Sequence, residues 1–213
     1  MRTGLTELVF ILDRSGSMEG LERDTIGGFN AMLEKQRKQE GKCIVSTVLF
    51  DSTSQMIHDR VPLADVLPMT EDDYCVQGCT ALLDALGDTM AHISNIHKYI
   101  RKEDIPEHTI FVITTDGMEN ASRKYRAGQI RTSVKRYQKE KGWEFLFLGA
   151  NIDAVSTASS FGISEDRSVS FTNDSRGIAT NYRAISQAID CFRANKKPDR
   201  SWKRSIEEDH GRR

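Results

Sequence analysis

Leu8-Val9-Phe10-Ile11-Leu12-Asp13-Arg14-Ser15-Gly16-Ser17 is an apolar run that closes on a carboxylate and then on two hydroxyls. A short continuous apolar stretch ending in polar residues reads as a strand buried on both faces, followed by a loop. Two other segments offer the same kind of oxygen at the same kind of position. Thr80, in Gly78-Cys79-Thr80-Ala81-Leu82, stands just ahead of a helical pattern, and Asp116 closes a second apolar run, Ile110-Phe111-Val112-Ile113-Thr114-Thr115. Carboxylate and hydroxyl oxygens gathered from separate segments suit a small hard cation such as Mg²⁺, with water completing its shell. Asp13, Ser15, Ser17, Thr80 and Asp116 are therefore the candidate metal ligands.

Working outward, apolar runs alternate with helical periodicity along the whole chain, the pattern of a parallel sheet covered by helices on both faces. Strands are expected at 5–13, 43–51, 109–116, 144–149 and 167–172, with residues 55–58 returning close enough to the second for an antiparallel edge hairpin. Met18, Ile26, Phe29 and Leu33 mark a first helix that stops at Gly41, and Leu82, Leu86, Ile93, Ile96 and Ile100 stripe a long one. Ile130, Val134 and Tyr137 mark a third, Asp153 caps a short helix ending at Gly162, and Ile178, Tyr182, Ile185, Ile189 and Phe192 line a last one. Residues 1–195 are expected to form one domain. Residues 196–213, charged and without periodicity, are expected to be a disordered tail, with Trp202 as its one possible anchor.

The chain has 213 residues, 38% hydrophobic and 29% charged, enough apolar material for a sizeable core. A net charge of −1 supplies no clustered positive excess, so neither nucleic acid nor an anionic membrane is an expected partner. No apolar run approaches the roughly 20 residues of a membrane helix, and residues 1–7 lack the apolar core of a signal peptide. The expectation is a soluble, cytoplasmic protein whose 4 cysteines stay reduced. Cys75 and Cys79 have neither redox-pair spacing nor a second Cys/His pair for zinc. His92 and His97, five apart on the long helix, miss a common ligand face and are expected at the surface. Glu119, Asn120, Asn151 and Asp153 fall on the same rim as the candidate ligands.

Each part of the constellation has a plainer reading. Ser17 and Thr80 can cap helices, and Asp116-Gly117 can be a turn. Taken together and in this order, Asp13-x-Ser15-x-Ser17, Thr80 and Asp116 resemble the metal-ion-dependent adhesion site of von Willebrand factor A-type domains, over residues 5 to about 195. The resemblance implies a Rossmann-like, doubly wound α/β fold with a mostly parallel six-stranded sheet of order 3-2-1-4-5-6 and one antiparallel edge strand. Ligands of such sheets bind at the switch point where neighbouring connections diverge, here between the first and fourth strands.

It also implies that the hydroxyls contact the ion while Asp13 and Asp116 act directly or through water. The cation, Mg²⁺ or else Mn²⁺ or Ca²⁺, then takes an acidic side chain from a partner as its last ligand. Function on this reading is protein binding, not catalysis, in a cytoplasmic assembly of the kind some small relatives build beside AAA+ ATPases. Two alternatives stand beside it. A phosphatase would use Asp13 as nucleophile, but phosphatases of the haloacid dehalogenase type carry a second Asp where Ser15 stands. An architectural subunit would carry the site without using it.

Overall fold

The computed structural model describes residues 2–212. Six strands form one sheet in the order β3-β2-β1-β4-β5-β6. They are β1 (Arg2–Asp13), β2 (Lys42–Phe50), β3 (Ser54–Pro62), β4 (Pro106–Thr115), β5 (Glu144–Ala150) and β6 (Ser168–Phe171). All neighbours run parallel except β2 and β3. The helices are α1 (Glu22–Arg37), α2 (Leu82–Tyr99), α3 (Ala127–Lys141), α4 (Ala154–Ser160), α5 (Ser175–Arg193) and α6 (Arg204–Gly211).

β1 shows why its sequence is apolar at consecutive positions. Successive side chains leave a strand on opposite faces, and both faces of this sheet are covered. Leu8, Phe10 and Leu12 enter the core shared with α1, α5 and α6, whereas Val9 and Ile11 enter the core shared with α2, α3 and α4. Parallel pairing brings the ends of β1, β4, β5 and β6 to one edge, so the loops after them meet there.

α1 and α5 approach closely over Gly28, where an added Cβ would lie 2.3 Å from Tyr182 Cδ2. Gly27 beside it has open space, with nothing within 4 Å of such a Cβ.

Two expectations are corrected. His97 is buried, not at the surface, and its Nε2 lies 2.6 Å from Glu7 Oε2. Glu7 is a fully buried acid in the middle of β1, and Arg60 Nε donates to its other oxygen at 2.6 Å. Arg60 adopts φ 52 where the β2–β3 register is irregular, a local distortion beside its bond to Glu7. The cost of burying one carboxylate is thus offset by two basic partners from other elements. His92, as expected, lies at the surface, beside Asp59.

The second correction concerns the tail. Residues 200–203 form a 3₁₀ turn and α6 follows, packing on α5 and β6. Trp202 and Ile206 are buried, and the Trp202 indole donates to Asp166 O at 2.9 Å. Lys203 Nζ donates to Glu165 O and Ser168 O at 2.9 and 3.0 Å. Two apolar side chains four apart are too few to register as periodicity, yet they suffice once the outer face of α5 and β6 is there to receive them. Arg213 lies outside the described residues.

Candidate metal centre

The switch point lies between β1 and β4, and the loops leaving their ends carry the five candidate oxygens. The structure brings all five residues together. Ser15 Oγ lies 3.2 Å from Ser17 Oγ and accepts from Thr80 Oγ1 at 3.2 Å. Ser17 Oγ donates to Asp116 Oδ1 at 2.5 Å. An octahedral Mg²⁺ with oxygens at about 2.1 Å places neighbouring ligands about 3.0 Å apart, so this spacing fits the edges of such a shell. Asp13 stands behind the hydroxyls: its Oδ1 accepts from Ser15 N at 2.8 Å and its Oδ2 from Thr115 Oγ1 at 2.5 Å.

Neither hydroxyl caps a helix. Ser17 sits in the 3₁₀ turn Gly16–Met18 while α1 begins only at Glu22, and the residue at the N-cap of α2 is Ala81, not Thr80. The Thr80 hydroxyl points to Ser15 instead. Gly117 leaves room for the cluster, since a Cβ there would lie 3.3 Å from Thr80 Oγ1 and 3.6 Å from Ser17 Oγ. Asp13, Ser15, Thr80 and Asp116 are buried and Ser17 is exposed, so the centre opens to solvent on one side.

Electrostatics point the same way. Burial pushes both the Asp13 and the Asp116 carboxyl above the ordinary carboxylate value, against the hydrogen bonds from Thr115 and Ser15 on one and from Ser17 and Asn173 on the other. A cation would favour the ionised form of both. Among the described residues no group of three or more His, Cys, Asp or Glu side chains could hold a metal. The hydroxyls of Ser15, Ser17 and Thr80 are the oxygens that stand at ligand spacing beside Asp116.

Of the other rim residues, Asn120 Oδ1 accepts from Thr80 N at 2.9 Å, and Glu119 accepts from Leu83 N at 2.8 Å in the first turn of α2. Asn151 Nδ2 reaches Asp116 O at 3.4 Å. Asp153 only caps α4, accepting from Ser156 N. Cys75 and Cys79 are exposed and free.

The sequence reading missed Asn173, whose Nδ2 donates to Asp116 Oδ2 at 2.8 Å, and Tyr74, whose hydroxyl donates to Asp13 O. Asn173 was accessible in principle, because it follows the end of β6 and the topology places that loop on the same edge. Tyr74 carried no signal, since it lies in a long irregular connection.

No family model and no curated protein matches the chain. Solved structures do. Proximal thread matrix protein 1 from the mussel byssus, crystal form 2, aligns at TM-score 0.59 and 15% identity over 88% of this chain and 46% of its own. A further structure of that protein is described as having a zinc-occupied MIDAS motif (TM-score 0.58, 14% identity, 88% and 46% coverage). A von Willebrand factor type A protein from Catenulispora acidiphila aligns at TM-score 0.57 and 11% identity over 87% and 43%. The vWF domain of the type V pili tip protein Mfa5 from Porphyromonas gingivalis aligns at TM-score 0.59 and 11% identity over 89% and 96%. The chain thus spans less than half the length of the mussel and Catenulispora chains but nearly all of the Mfa5 domain. The fold is that of von Willebrand factor A-type domains.

Proposed function

We propose that this chain is a divalent-cation-dependent protein-binding module. Ser15, Ser17, Thr80 and Asp116 hold Mg²⁺, Asp13 orients the loop or acts through water, and an Asp or Glu side chain of a partner protein completes the shell. The observation that carries the reading is the hydroxyl triad beside Asp116, open to solvent at Ser17. Neutral hydroxyls compensate little of the cation's charge, which leaves it electrophilic toward an external carboxylate. Mn²⁺ or Ca²⁺ would use the same oxygens. The partner belongs, on this proposal, to a cytoplasmic protein assembly of the AAA+ ATPase-linked kind. Among the described residues no helix is long and apolar enough to cross a membrane.

The phosphatase alternative has less support. Position 15 holds a serine whose N–H is taken by Asp13 Oδ1, where that chemistry calls for a second carboxylate. The test is a titration of Mg²⁺ and Mn²⁺ into the purified chain, with Thr80→Ala as control. Saturable binding lost in the variant supports the reading, and its absence in the parent refutes it. Turnover of an aryl phosphate with Mg²⁺, abolished by Asp13→Asn, would replace it with an enzyme.

A further inference from the structure

The oxygens of the candidate centre come from segments far apart in sequence, and a buried ion pair adjoins the loop that carries Asp13 and Ser15. Arg14 lies between Asp13 and Ser15, and its side chain turns away from the centre. Its Nε donates to Asp51 Oδ2 at 2.9 Å and its Nη1 to Gln55 Oε1 at 2.9 Å, with both charged side chains of the pair almost wholly buried. The backbone of Arg14 is tied as tightly, its N–H to Phe50 O at 2.8 Å and its carbonyl to Gln77 N at 2.9 Å.

Asp51 reaches the other ligand segment. Its carbonyl accepts from Ala81 N at 2.8 Å, one residue past Thr80, and its Oδ2 lies 3.4 Å from Gln77 Nε2. Ser52 continues the seam: its Oγ accepts from Cys79 N at 2.9 Å, and a Cβ on Gly78, which holds φ +68, would come within 2.7 Å of that oxygen. Gly16 N donates to Gly78 O at 3.1 Å across the two ligand loops. The turn after β2 therefore grips the Ser15 loop with one hand and the Thr80 segment with the other.

We infer that Arg14 and Asp51 are positioning residues for the cation, holding the Ser15 and Thr80 hydroxyls at ligand spacing. The inference rests on the cation-dependent reading above. The physical reason is that a buried ion pair is a poor source of net stability, since desolvation consumes most of its attraction, and apolar replacements of similar size are often neutral or stabilising. A planar guanidinium with directed donors does fix geometry, which apolar packing does not. Affinity for the cation, more than stability of the fold, is what the pair controls.

The test compares the parent chain with the Arg14→Met/Asp51→Leu double variant, measuring Mg²⁺ and Mn²⁺ affinity by calorimetry and metal-free melting in parallel. The expected result is an affinity weakened about 10- to 100-fold, the usual effect of losing a group that orients ligands, with metal-free Tm unchanged or raised. Parental affinity in the double variant overturns the inference. Should the double variant not melt cooperatively, Gln55→Leu decides, because it keeps the ion pair and removes one anchor of the guanidinium. Weaker Mg²⁺ binding at parental Tm then supports the role, and unchanged binding overturns it. A parent chain that takes up neither ion refutes the cation-dependent reading itself, an outcome distinct from parent and variants binding alike.

Discussion

The Ser17 hydroxyl stands 2.5 Å from Asp116 Oδ1, a bond between residues 99 positions apart. It closes the centre across the switch point between β1 and β4. Asp116→Ala removes one of two buried carboxylates there and should abolish stabilisation by Mg²⁺. A ligand at 100 times its Kd adds about 2.7 kcal/mol, which for a domain of this size raises Tm by about 5–10 °C. Melts with and without Mg²⁺ should show that rise in the parent and none in the variant.

The same centre sets a pH dependence. Burial raises the Asp13 and Asp116 carboxyls above their ordinary value of 3.8. A raised folded value means that, without a cation, these groups contribute stability fully present below the unfolded value and lost as pH rises through the folded one. Mg²⁺ needs them ionised, so its stabilising increment should grow as pH climbs from 3.8 toward neutrality. Paired melts across that range check the sign; an increment that shrinks with rising pH contradicts it.

Gly27 and Gly28 should respond oppositely to alanine. At Gly28 the new methyl would collide with the Tyr182 ring, a 2.3 Å approach, and overpacking of this kind costs about 1–3 kcal/mol. At Gly27 the space is open, and replacing a helical glycine by alanine should stabilise by about 0.5–1 kcal/mol. Denaturant unfolding of the two variants separates them.

Trp202→Ala tests the docked C-terminal segment. Removing a buried tryptophan costs about 3–5 kcal/mol, whereas the same change in a solvated tail would leave unfolding untouched. Chemical denaturation reads the difference, and a shift within error would mean that α6 does not dock in solution.

Glu7→Ala should be among the most destabilising single changes outside the apolar core. It strands Arg60 and His97, both of which reach Glu7 at 2.6 Å, and breaking a buried pair costs about 3–5 kcal/mol. Mg²⁺ affinity, measured where the variant remains folded, should stay close to parental, because Glu7 makes no contact with the candidate centre.

The sequence by itself determined the strands, the helices as far as α5 and the candidate residues that carry the oxygens. Those properties are written in local periodicity: a strand buried on both faces must be apolar at consecutive positions, as Leu8 to Leu12 are, and an amphipathic helix must repeat every three or four, as Ile178 to Phe192 do. The resemblance carried by those oxygens supplied the strand order. The tertiary structure decided which isolated polar or apolar side chains find partners. Glu7 meets Arg60 and His97 from 53 and 90 residues away, Asn173 reaches Asp116 from 57, and Trp202 is buried only because α5 and β6 are already in place. A single side chain has no period, so its burial and its bonds depend on what the folded chain brings to it. Arg14 shows the division most plainly, since its neighbours in sequence mark it as a spacer in a candidate metal loop, and the tertiary structure brings Asp51, 37 residues on, to its buried guanidinium.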